Sequence, residues 1–160
     1  MRYVGALTII FSVLVAWRGY CAYLLRQLID TRTFLCAVED YREKVKCYLL
    51  SPMDWAGKYR DDRLSECGFL SRVAEGEDIL SAYRFARGGC YLPAKVDSAL
   101  ELCFSDFGAG NLDTEIEKLN AALSRLRSEE KDMSDNIASR GKVAGALLGA
   151  CAVGVVILVM

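Results

Sequence analysis

The chain has 160 residues, with 20 Lys or Arg against 21 Asp or Glu and a formal net charge of −1. That length holds one domain and little more, and the charge balance gives no reason to expect nucleic acid or another polyanion as partner. It has no histidine, which removes the commonest general base and the Ser/His and Cys/His nucleophile pairs.

Tyr3 to Trp17 carries no charge. A spanning helix needs about 20 apolar residues, with about 17 as the lower limit. The run reaches that length if Arg18 snorkels to the headgroups and Gly19 to Tyr23 occupy the interface. Residues 3–23 are therefore expected to form an N-terminal transmembrane segment. A cleaved signal peptide fits less well, because Arg2 is the only charge ahead of the run and no A-x-A-like site follows it.

Next comes a stripe of Leu28, Leu35, Val38, Val45 and Leu49, with Thr31 and Arg42 at the intervening positions. This four-and-three spacing predicts a long amphipathic helix. Pro52 stops it, and Ser51 is placed to cap the helix that follows. Short helices are expected at Met53 to Tyr59, Leu64 to Val73 and Asp78 to Phe85. After a break at Gly88-Gly89, another is expected at Pro93 to Phe104, with Val96, Leu100, Cys103 and Phe104 on one face. No segment alternates with period two for long enough to predict a strand.

Gly108 and Gly110 break the chain again, and Asn111, Asp113 or Thr114 can cap a second long helix. Its stripe is Leu112, Ile116, Leu119, Leu123, Leu126, Met133 and Ile137, with Glu130 in the polar slot. The helix is expected to run on into Val143 to Met160, which is free of charge. Residues 141–160 are read as a C-terminal transmembrane segment, with Gly141, Gly145 and Gly149 four apart as a face for close helix packing.

Arg18 and Arg26 follow the first apolar run, and Arg140 and Lys142 precede the last. These basic collars, read by the positive-inside rule, put a domain of residues 24–140 in the cytoplasm and both termini outside. The expected fold is all-α: a membrane-anchored helical bundle with two long antiparallel helices, a cluster of short helices, and a transmembrane segment at each end.

Little in the sequence carries chemistry. The carboxylates sit beside basic residues, as in Glu129-Glu130-Lys131-Asp132, which suits a solvated helix face. The seven cysteines are scattered without a C-x-x-C pair, so no metal site is expected, and they read as free thiols in a reducing compartment. Gly141-Lys142 lacks the rest of a Walker A loop. No catalytic residue, cofactor, metal ligand or small-molecule substrate is predicted, and the chain is not expected to be an enzyme. Arg60, Arg63, Arg84 and Arg87, at helix ends and loops of the short-helix cluster, are the candidate partner contacts.

The layout resembles the stage III sporulation protein AB family of endospore-forming bacteria. The resemblance rests on Gly5-Ala6-Leu7 opening the first apolar run and on a Leu-rich helix after it. Further on, Val45-Lys46-Cys47-Tyr48 precedes Ser51-Pro52-Met53, and Phe107-Gly108 leads to Asp113. The last stretch in common runs from Gly145-Ala146-Leu147-Leu148-Gly149 to Met160. Ser51 stands where that family has Thr, and Thr114-Glu115-Ile116-Glu117 where it has a Gln. The family in turn is similar to the platform protein of type II secretion systems. The resemblance implies a platform subunit of the channel complex between mother cell and forespore, in the mother-cell membrane around the forespore. It also implies partners: an ATPase like stage III sporulation protein AA and other membrane subunits of the complex. The alternative is a two-anchor membrane adaptor or assembly protein unrelated to sporulation.

Overall fold

The computed structural model describes residues 2–105 and 112–159, with side-chain detail for residues 11, 12, 14–105 and 112–139. The described residues form seven helices and no strand: α1 (Arg2–Tyr48), α2 (Pro52–Lys58), α3 (Asp62–Glu66), α4 (Phe69–Ala74), α5 (Ile79–Arg87), α6 (Ala94–Phe104) and α7 (Leu112–Val159). The all-α expectation holds in this respect.

The transmembrane expectation does not hold. Among the described residues, no helix is long and apolar enough to cross a membrane, so the spans expected at 3–23 and 141–160 are not supported. In α1 the described side chains from Phe11 onward soon meet Trp17, Arg18, Gly19, Tyr20 and Arg26, which dilute any apolar window. The side chains of Arg140, Gly141, Lys142, Gly145 and Gly149 lie outside the described residues.

The chain divides into two compact units, residues 26–130 and the paired stretches 1–25 and 131–160. In the second of these, Trp17 and Tyr20 place their ring centroids 6.2 Å apart, and Phe11 and Val15 are exposed.

In the 26–130 unit, α1 and α7 run antiparallel. Arg32 bonds Glu130 at 2.6 Å, Arg127 bonds Glu39 at 3.0 Å and Arg42 bonds Asn120 at 3.1 Å. Residue numbers rise on one helix as they fall on the other. The α7 stripe is a core face, with Leu119, Leu123 and Leu126 buried. On α1 the buried face is wider than the expected stripe. It takes in Phe34, Ala37 and Tyr41 as well as Leu28, Thr31, Val38 and Val45, while Leu49 points outward. The cause is the short-helix cluster, which also packs on α1. Phe34 meets Phe69 at 5.8 Å and Tyr83 at 5.6 Å edge-to-face, and Phe104 closes the group against both. Such edge contacts add about 0.5–1.5 kcal/mol each beyond area burial.

Local caps set the short helices. Ser51 takes the Asp54 N–H at 3.1 Å, with Pro52 in the first turn. Asp61 takes the Leu64 N–H and Asp78 the Ser81 N–H. The single helix expected from Leu64 to Val73 is two, because Gly68 adopts φ 78 and turns the chain between α3 and α4. A side chain there would be strained in backbone and would press on Phe85 at 3.3 Å.

Candidate functional site

The short-helix cluster carries Arg60, Arg63, Arg84 and Arg87, the candidate partner contacts. Most of them also bond within the chain. Asp30 of α1 is 2% exposed. Its Oδ1 accepts from Arg63 Nη2 at 2.7 Å and Nε at 3.1 Å, and its Oδ2 accepts the Tyr91 backbone N–H at 2.7 Å. One carboxylate therefore ties α1 to α3 and to the link between α5 and α6. The hydrogen bond to Asp30 raises the Arg63 pKa further above its ordinary value, with Asp30's charge adding to it. A buried carboxylate needs such partners, since desolvation without them is costly.

Asp97 makes a second node. It accepts the Tyr83 hydroxyl at 2.7 Å, and Arg87 Nη2 lies 2.7 Å from its other oxygen. Burial and the Asp97 bond both push the Tyr83 phenol up. Arg84 holds Glu101 at 3.2 Å. These bonds fasten α5 to α6.

Three of the four candidate arginines, Arg63, Arg84 and Arg87, thus hold carboxylates of their own chain. Arg60 donates to the Gly57 and Tyr59 carbonyls at 2.9 and 3.1 Å, where it satisfies the C-terminal end of α2. Of the expected collar, Arg18 is exposed, and Arg26 stacks over the Tyr91 ring at 5.7 Å. Asp30 and Asp97 were not singled out from the sequence. The signal for Asp30 was its position beside Thr31 in the apolar stripe, where a lone carboxylate needs a cation from elsewhere.

One patch of exposed apolar side chains lies at the corner between α1 and α2. Tyr48, Leu49 and Met53 are 71%, 72% and 54% exposed. Leu49 is the one non-glycine described residue at positive φ, 52°. Its N–H still bonds the Val45 carbonyl at 3.0 Å, so the turn ends α1 without losing its last hydrogen bond. One groove beside the corner is lined by Val45, Leu49, Leu50, Pro52 and Leu112, and another by Pro52, Met53, Val73 and Ile79. Lys44 stands over the Tyr48 ring at 5.8 Å.

Among the described residues, no group of three or more His, Cys, Asp or Glu could hold a metal ion. Cys103 is buried in the core, and burial pushes its thiol up to about 12. No protein-family model, curated protein or solved structure matches the chain.

Proposed function

We propose that this chain is a non-catalytic scaffold that docks a cytoplasmic ATPase through the corner from Tyr48 to Met53. The observation that carries this reading is the exposure of Tyr48, Leu49 and Met53 together at one capped turn. Aromatic and Met side chains are enriched at interface centres, and a few such anchors carry most binding energy. Backbone strain such as that at Leu49 concentrates at functional positions. The same segment, Val45-Lys46-Cys47-Tyr48 and Ser51-Pro52-Met53, carries part of the resemblance to the stage III sporulation protein AB family. On that resemblance the partner is the ATPase akin to stage III sporulation protein AA, and the setting is the sporulation complex.

The braces at Asp30 and Asp97 support the same reading, because a rigid unit loses little conformational freedom on docking. Arg60, Arg63, Arg84 and Arg87 then act first on the shape of the unit.

The test is retention of that ATPase by the immobilised full chain at low salt. Wild type should retain it. Leu49→Asn keeps a residue that tolerates positive φ but removes the anchor, and should weaken retention about thirty-fold, as loss of a hot-spot residue does. Failure of the wild-type chain to retain any ATPase would overturn the proposal.

A further inference from the structure

A groove of about 330 Å³ opens between α2 and the link from α4 to α5. Pro52, Met53, Val73 and Ile79 form its apolar lining, and Glu77 and Asp78 its acidic side. It is continuous with the corner from Tyr48 to Met53, because the exposed Met53 belongs to both.

Local hydrogen bonds hold the acidic side in place. α4 ends with Gly76 at φ 91. The Gly76 N–H bonds the Val73 carbonyl at 3.1 Å, and the Glu77 N–H bonds the Arg72 carbonyl at 3.0 Å, the pair of bonds that closes a helix on a left-handed residue. Asp78 then caps α5 by accepting the Ser81 N–H at 3.2 Å. The link is thereby tied at both ends. A Cβ at Gly76 would lie 3.9 Å from the Met53 sulfur, so the thioether lies beside the bare backbone of the turn. Methionine is flexible and polarizable, which suits a surface that must fit a partner's side chains.

The charge beside the groove is one-sided. Glu75, Glu77 and Asp78 follow one another closely, with no Lys or Arg from Val73 to Ile79. Arg72 pairs with Glu77 at 2.9 Å, and its guanidinium stands over the Phe85 ring at 3.5 Å. The exposed Glu75 and Asp78 are left without an ion-pair partner among the described residues. Glu75 also stands at the C-terminal end of α4, where backbone carbonyls favour a cation and disfavour an acid. A cation brought from outside offsets both the carboxylates and the helix end.

We propose that this groove seats a segment of a protein partner in which apolar side chains recur with lysine or arginine at helical spacing. The apolar side chain rests on Pro52 and Met53, and the cation meets Glu75 and Asp78. The inference rests on the docking reading of the neighbouring corner and specifies the chemistry of the segment that docks there.

The test uses the full chain with isotope-labelled methionine methyl groups and two synthetic amphipathic helices as probes. One is built of leucine and lysine, and in the other glutamate replaces every lysine. The leucine–lysine helix is expected to shift the Met53 methyl resonance, which Met53→Leu identifies by removing it. Glu75→Gln together with Asp78→Asn keeps the side-chain sizes and the α5 cap and should weaken that binding about tenfold. Asp62→Asn together with Glu117→Gln removes the same charge at exposed sites outside the groove and should leave it unchanged. The proposal is overturned if the Met53 methyl does not respond, if the glutamate helix binds as well, or if the Glu75/Asp78 variant binds like wild type. It is overturned too if the Met53 methyl shifts on dilution as a dimer dissociates, which assigns the groove to a second copy. Retention of the ATPase is read separately. A chain that binds the lysine helix in the groove yet retains no ATPase keeps this inference and loses the earlier reading, and the converse result does the reverse.

Discussion

Asp30 on α1 and Arg63 on α3 are 33 positions apart, and the guanidinium meets the buried carboxylate through two nitrogens, at 2.7 and 3.1 Å. The carboxylate is 2% exposed, so removing the arginine leaves a charge with one backbone N–H for support. Arg63→Ala is expected to cost about 3 kcal/mol, in the range for breaking a buried pair. Arg60→Ala, which gives up bonds only to exposed carbonyls, should stay within about 0.5 kcal/mol. Urea denaturation of the two variants measures this, and equal losses would mean that Asp30 is not a node.

The α7 stripe supports a second comparison. Leu119 is fully buried and Glu117 is exposed. Leu119→Ala should destabilise the 26–130 unit by about 2–5 kcal/mol, and Glu117→Ala should do little. Thermal melts of the two variants followed by circular dichroism provide the check.

Alkaline pH should unfold the chain. Burial raises the phenols of Tyr41, Tyr59 and Tyr83 above their ordinary value of 10.0, with Tyr59 reaching about 12. Below pH 10 these groups are protonated in both states, and their contribution is fully present. Above pH 10 the unfolded chain ionises first, so stability falls as pH rises toward the folded values. The slope is about 1.4 kcal/mol per pH unit for each phenol while that difference lasts. Denaturation midpoints should hold steady up to about pH 9 and drop steeply by pH 11. A flat profile over that range would show that the three rings are not buried as described.

Tyr83→Phe isolates the second node. It removes the hydroxyl that donates to Asp97 at 2.7 Å and leaves the ring packing against Phe34 and Phe104 in place. The expected loss is about 1–3 kcal/mol, the cost of a buried acceptor deprived of a charge-assisted bond. Denaturant titration reads it directly.

Much of the architecture was legible in the sequence. Ser51 before Pro52 gave the α2 cap, Gly88-Gly89 gave the end of α5, and the spacing of Leu119, Leu123 and Leu126 gave the core face of α7. These are local signals, read within one or two helical turns. What was not legible depends on distant partners. The arginines at 63, 84 and 87 look like free surface charge until the fold brings Asp30, Glu101 and Asp97 to them. The outward turn of Leu49 is set by where α2 must start, and its residue type gives no hint of it. The expected spans at 3–23 and 141–160 came from the charge-free runs Tyr3 to Trp17 and Val143 to Met160, the first extended past a snorkelling Arg18, and no described helix is long and apolar enough to support them.

The central claim is that the corner between α1 and α2 is the working surface of a rigid helical scaffold. Backbone amide exchange of the full chain, with and without the stage III sporulation protein AA-like ATPase, tests it most directly. The account predicts that added ATPase slows exchange at residues 45–53 and leaves the braced segment around Arg84 and Arg87 unchanged. Slowing confined to that braced segment, or no slowing anywhere, would contradict it.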